Sequence, residues 1–337
     1  MKKYFRLTLL FLILAEIFSF FGFLYSVFNK ICFLAILIIT LALCLKKLEY
    51  GIYIMMAELF AGSFGYMFFY DLNGTAVSLR IGLFVIIMSV WMAKTANKKN
   101  REEALKRFKE NKFIKYYFLL FGFLLLGVIV GFLRGNGAGN VFFDANGYIY
   151  FGLIFPLITE IKALDHLKNI FSIFAASVIV VSAKTIFLLY VFSHKMYYVM
   201  EFLYRWVRDY RFAEITGMKY DFYRVFSQAH IYTLILLFFS VFLMFYSLGK
   251  NIAEKKKLFA LYVLSLAIII IGLSRSFWVG GFAAVLVMYY IFIFVQKFPW
   301  RKVLNITLAL TAGAGLSLFL IFAVVKFPYP GASGEFS

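Results

Sequence analysis

Apolar residues run along this chain in long unbroken stretches, with neither the alternation of a half-buried strand nor the narrow stripe of a surface helix. Eleven stretches stand out, at 7–28, 31–45, 51–70, 76–93, 116–133, 148–161, 170–192, 231–248, 258–273, 277–295 and 303–325. Most have the roughly 17–25 residues that a helix needs to cross about 30 Å of hydrocarbon. A membrane barrel would require strict alternation, so the pattern predicts helices. The expected fold is all-α: a polytopic transmembrane helix bundle of about eleven spans, forming a single domain. The stretches at 31–45 and 148–161 are short, and the second contains Pro156. The first stretch is too long for a signal-peptide core and no small-residue cleavage site follows it, so it reads as the first span.

The segments between the stretches alternate in charge. One set, built from 2–6, 46–47, 94–115, 162–168, 250–257 and 297–302, holds 23 basic residues, against 11 in the other. The positive-inside rule makes the richer set cytoplasmic, and with it the N-terminus. The richer set has nineteen Lys and four Arg, and the poorer set has seven Arg and four Lys. Retention on the inside needs only charge, whereas gripping phosphate oxygens favours the planar guanidinium fork.

Composition sharpens the class. At 64% hydrophobic and 15% charged, the chain lies well outside the range of soluble domains. The net charge of +19 resides in short loops with a topological explanation, which argues against nucleic-acid binding. Cys32 and Cys44 are twelve residues apart in one helix, about 18 Å and too far for a disulfide. The cytoplasmic connector 94–115 reads as a charged helix on the anionic inner leaflet.

Three outer segments carry the candidate chemistry. The loop 134–147 joins Arg134 to Gly135, Asn136, Gly137, Gly139 and Asn140, with Asp144 following; it is either a plain turn or a backbone cradle for an anion. The segment 193–227 spaces Arg205, Arg208 and Arg211 three residues apart among aromatics, as on one side of an interfacial helix. It ends on Asp221, Arg224 and then His230, where Arg224 either snorkels or grips a ligand and His230 is either a ligand contact or a satisfied bundle residue. The tight turn 274–276 sets Arg275 between Ser274 and Ser276, at a depth where an arginine needs a partner or a wet cavity. Within the spans, Glu16, Glu58 and Lys184 require partners; a structural Lys–Glu pair and a proton or ion path both remain open.

At these segments the chain resembles the O-antigen ligase and O-antigen polymerase superfamily, bacterial polytopic glycosyltransferases of the GT-C type. The likeness rests on the Arg134-Gly135-Asn136 loop with Asp144, on the Arg224 segment before a span, and most of all on Ser274-Arg275-Ser276 before an apolar helix. It implies a multi-pass protein of the bacterial cytoplasmic membrane, working in cell-envelope polysaccharide or lipopolysaccharide biosynthesis. Such an enzyme moves a glycan from an undecaprenyl diphosphate carrier to a lipid or glycan acceptor at the outer face. The resemblance also implies that no metal or cofactor is needed and that Arg224 and Arg275, with Arg134, bind the diphosphate. Acceptor or donor contacts would come from Ser274, Asp144, His230, Arg205, Arg208 and Arg211.

Two departures stand beside the likeness. The ligases place a catalytic histidine in a large periplasmic loop before the last spans, and no histidine follows Arg275 here. Residues 326–337 read as the start of such a loop, so the chain is expected to be a C-terminal truncation, inactive alone, with the family histidine beyond Ser337. Residues Ser227-Gln228-Ala229-His230 also replace the usual proline-asparagine. The competing class is a polysaccharide flippase or secondary transporter, which would use Glu58 and Lys184 but should show repeated halves with broken helices.

Overall fold

The computed structural model describes residues 2–72, 75–246 and 252–327. Its helices are α1 (Lys2–Leu24), α2 (Ser26–Lys46), α3 (Leu48–Ala61), α4 (Leu79–Ala96), α5 (Lys98–Glu110), α6 (Ile114–Leu133), α7 (Ala138–Ile149), α8 (Ile154–Glu160), α9 (Leu164–Ser193), α10 (Tyr197–Asp209), α11 (His230–Tyr246), α12 (Ile252–Gly272), α13 (Arg275–Tyr290) and α14 (Trp300–Lys326). A 3-10 turn over Tyr150–Leu153 fuses α7 to α8, and a π-turn over Ile291–Val295 extends α13. Two small antiparallel hairpins pair β1 (Phe69–Leu72) with β2 (Thr75–Ser78) and β3 (Glu214–Gly217) with β4 (Tyr223–Phe226). With α7–α8 taken as one, eight helical segments among the described residues are long and apolar enough to cross a membrane. The protein is a multi-pass helical membrane bundle.

The bundle is built around α9. Its 30 residues rise about 45 Å, and two-thirds of its most apolar window is buried. Helices α1, α3, α11, α12 and α14 pack on it. At the periphery α6 and α13 bury no residue at all, which leaves their apolar surfaces to lipid. In an apolar solvent the close approach of backbones must come from small residues. Gly51 provides one such approach, since a Cβ there would collide with Cys44 Sγ.

Contacts sort the connections into two ends. At one end Tyr4 meets Tyr53 edge-on, Asn169 Nδ2 donates to Tyr53 Oη, and His166 reaches Glu49. Lys94 bonds Glu160, and Lys162 bonds Glu103, at the same end. At the other end Asn29 Nδ2 donates to the Phe69 carbonyl, Arg211 lies over Tyr66, and Asp221 sits between Lys195 and Lys326. These are the two groups of segments that the charge count separates.

Several boundaries differ from the sequence expectation. The first span ends at Leu24, with Tyr25 alone forming the turn, because Asn29 is buried against Gly22 and belongs to α2. The stretch 51–70 is no continuous span. Helix α3 stops at Ala61, the chain turns, and Met67 and Phe68 fold back into the core ahead of β1. The loop 134–147 shrinks to 134–137, since α7 begins at Ala138 and runs through the 3-10 turn into α8; Pro156 fits in the first turn of α8, where no backbone donor is lost. Segment 193–227 folds as α10 and the β3–β4 hairpin. Residues 328–337 lie outside the described residues. They comprise most of the expected loop start and include Ser337, beyond which the family histidine is expected.

Candidate functional site

Arg224 and Arg275, far apart in sequence, come together through one turn. Arg224 is on β4, and its Nε donates to the Gly272 carbonyl at the end of α12, 3.0 Å away. Leu273 then takes a left-handed φ of 41° and Ser274 opens α13, so that Arg275 is the first helical residue and is exposed. The Ser274 and Ser276 hydroxyls bond one another at 3.0 Å. The Arg224 guanidinium lies 5.1 Å from the Phe226 ring centroid, and that ring meets Phe277 at 5.9 Å. Gly272 is closely packed, and a Cβ there would sit 3.0 Å from His230 Nδ1.

His230 itself is fully buried at the start of α11. Its Nε2 is 3.0 Å from Thr185 Oγ1 on α9, and its Nδ1 lies 3.4 Å from the Ser227 backbone N–H. That arrangement makes it a satisfied bundle residue beneath the Arg224 corner, beside Gly272 and away from any open surface. The other histidines are no closer to a catalytic place. His166 reaches Glu49 at the opposite end of the bundle, and His194 Nδ1 lies 2.9 Å from the Tyr190 carbonyl. None of the three stands in for the histidine expected beyond Ser337.

The remaining arginines divide. Arg205 is exposed and bonds Glu201 one turn back. Arg208 Nε donates to Asp209 at 2.9 Å, with the guanidinium 5.6 Å from the Tyr204 ring. Arg211 does not continue their helical row. Helix α10 ends at Asp209, and Arg211 adopts a φ of 53° that swings it over Tyr66, 4.6 Å from the ring centroid. Arg134 is exposed at the end of α6, and Asp144 lies on α7, where it lines a groove of about 570 Å3 with Asn136 and Asn140. The contacts that join Arg224 to the α12–α13 turn involve neither α6 nor α7, so Arg134 and Asp144 are not part of that corner.

Two buried ion pairs underlie this end. Lys184 bonds Glu16 at 2.6 Å, which satisfies the expectation of a Lys–Glu pair. Glu58 has a different partner, Arg80: Nε to Oε2 is 2.8 Å and Nη2 to Oε1 is 3.2 Å, with side chains only 13% and 5% exposed. Arg80 Nη2 also donates to the Ser63 carbonyl at 2.7 Å. Arg80 falls within the apolar stretch 76–93, and that was the signal to look for a carboxylate partner.

Outside the spans, the hydrogen bond from Lys195 and then its charge, with Lys326 nearby, hold the Asp221 carboxyl below the usual range. This contact pins the β3–β4 turn to the ends of α9 and α14. Among the described residues no cluster of His, Cys, Asp or Glu could hold a metal ion. No protein-family model, curated protein or solved structure matches the chain.

Proposed function

We propose that this protein transfers a glycan from an undecaprenyl diphosphate carrier to a lipid or glycan acceptor at the outer face of a bacterial cytoplasmic membrane, as an enzyme like the O-antigen ligases and polymerases. Eleven crossings are part of the reading, with α3, α11 and α12 added to the eight long apolar helices. The observation that carries it is the Arg224–Gly272 bond, which sets two guanidinium groups on either side of one turn at the arginine-rich end of the bundle. A diphosphate leaving group gathers charge as the glycosidic bond breaks, and fixed cations in a low-dielectric mouth stabilise that charge. Arg224 is oriented by the Gly272 carbonyl and Phe226, whereas Arg275 is exposed at the membrane edge, suited to reach a lipid-borne phosphate.

The flippase or transporter reading would rest on the buried charges, but Glu16, Lys184, Glu58 and Arg80 pair with one another. The test is transfer by the purified protein, reconstituted with a polyprenyl-diphosphate glycan and acceptor. Arg275→Lys should lose at least tenfold in rate with normal insertion, since lysine keeps the charge but not the fork. Unchanged transfer would remove Arg275 from the mechanism, and proton-coupled uptake abolished by Lys184→Ala would favour the transporter.

A further inference from the structure

A second cavity, of about 290 Å3, opens beside the Arg224 corner between α10, the turn after α3 and the start of β3. We propose that it is a subsite for one uncharged saccharide ring, a hexose or N-acetylhexosamine unit. The volume is at the small end for ligand cavities, roughly 300 Å3, which suits a single ring. Its polar lining is Arg208, Arg211, Glu214, Gln228 and Ser63, and its apolar walls include Phe212 and Phe226. A sugar ring needs that mixture: donors and acceptors together for its hydroxyls, and aromatic surface for its C–H face.

Ser63 belongs to this wall. It is only 8% exposed, and its Oγ is closed off without a hydrogen-bond partner among the described residues. A buried hydroxyl left unbonded is costly, and a slight opening of the wall on binding would let a sugar hydroxyl satisfy it. The protein holds Ser63 in place at some expense. Its φ is 52°, and its carbonyl is clamped by Arg80, itself fixed by Glu58. The buried Arg80–Glu58 pair therefore acts as a positioning device for this wall.

Charge balance decides the class of sugar. Arg208 bonds Asp209 just outside the cavity, Glu214 supplies a second carboxylate in the lining beside Arg211, and Lys184, 3.9 Å from the Phe212 ring centroid, bonds Glu16. By formal count these groups carry no net charge, which favours a neutral occupant. The occupant's place rests on the transferase reading: Phe226 lines this cavity and also lies under Arg224, so a carrier diphosphate at the corner would put its first sugar here.

The experiment is saturation-transfer difference NMR on the chain in lipid nanodiscs, free of sugar-based detergent, with galactose, N-acetylglucosamine, glucuronate and glycerol 1-phosphate as probes. We expect a signal from a neutral sugar that persists at 0.5 M salt and falls at least fivefold in Arg211→Gln and in Glu214→Gln. Ser63→Gly, which relieves the backbone, should also reduce it, and Lys219→Gln should not. The subsite is overturned if no neutral sugar gives a signal, if glucuronate binds the unaltered chain better than the neutral sugars do, or if glycerol 1-phosphate binds best, as a lipid headgroup site would require. Sugar binding without glycan transfer would leave the subsite standing and remove only the transferase reading; transfer unaffected by these substitutions, with no sugar signal, would do the reverse.

Discussion

The Arg80–Glu58 pair offers a direct test of how this bundle is held. The Arg80 guanidinium donates three hydrogen bonds, two to Glu58 and one to the Ser63 carbonyl, and both side chains are almost fully buried. Replacing Glu58 with Met leaves a cation without its counter-charge in a low-dielectric interior, which typically costs about 3–5 kcal/mol. Arg80→Met leaves Glu58 uncompensated and should cost a similar amount. The double change Glu58→Met with Arg80→Met removes both charges and orphans only the Ser63 carbonyl, for about 1–3 kcal/mol. The singles should thus sum to well over the double, with a coupling energy above about 2 kcal/mol. Equilibrium unfolding in mixed micelles, followed by the fluorescence of Trp206, which is buried and bonded to Ser19, would measure it. Single variants that lose less than about 1 kcal/mol, or additivity within about 0.5 kcal/mol, would refute the argument.

Other outcomes follow from the same structure. Gly51→Ala should destabilise by about 1–3 kcal/mol through overpacking, and Cys44→Ala should restore most of the loss by removing the sulfur that the new methyl meets; thermal denaturation of the two variants and the double checks this. Lys184→Met should be strongly destabilising because it strands Glu16, and Lys184→Met with Glu16→Met should recover stability in the same assay. Asp221 has a lowered folded pKa, so its contact is fully present above the ordinary carboxylate value of about 3.9 and is lost only as pH falls below it. Hydrogen exchange in the β3–β4 hairpin should therefore be flat from pH 8 to 5 after correction for intrinsic rates, and loosened throughout in Asp221→Asn.

Much of the scaffold was legible because lipid leaves a simple signature. Continuous apolar runs locate α1, α2, α4, α6, α9, α13 and α14 to within a few residues, and the Lys/Arg asymmetry groups the connections as the packing does. Where the run alone was the guide, it misled. Between 51 and 70 every residue but Glu58 suits a span, yet Ser63 and Gly65 take left-handed backbone and turn the chain back, with Arg80 as the post around which it folds. Asn29 reads as a loop residue, but its hydrogen bond to Phe69 is long-range and invisible locally. The β3–β4 hairpin joins two four-residue strands through a turn in which two non-glycine residues, Tyr220 and Asp221, take left-handed backbone.

The candidate site was legible by residue type and not by arrangement. Arginines at the outer end announced themselves, and Arg224 and Arg275 proved to share a turn. Arg134 and Asp144 sit on a separate helical hairpin, and the helical row of Arg205, Arg208 and Arg211 breaks because α10 ends at Asp209. Ser63 carried no sequence signal at all; its place in a cavity wall, with its hydroxyl buried and unpartnered among the described residues, is created only by the fold.

Guanidinium groups at the extracytoplasmic end, gripping a lipid-borne diphosphate, are the core of the proposed chemistry. One measurement tests this most directly: labelling of Ser276→Cys in intact cells and sealed vesicles by a membrane-impermeant maleimide, with and without added undecaprenyl diphosphate. Background from native thiols should be low, since Cys32 and Cys44 are buried. The expected result is labelling without permeabilisation, slowed several-fold by the diphosphate and not by the monophosphate. Labelling only after permeabilisation, or at a rate that the diphosphate leaves unchanged, would contradict it.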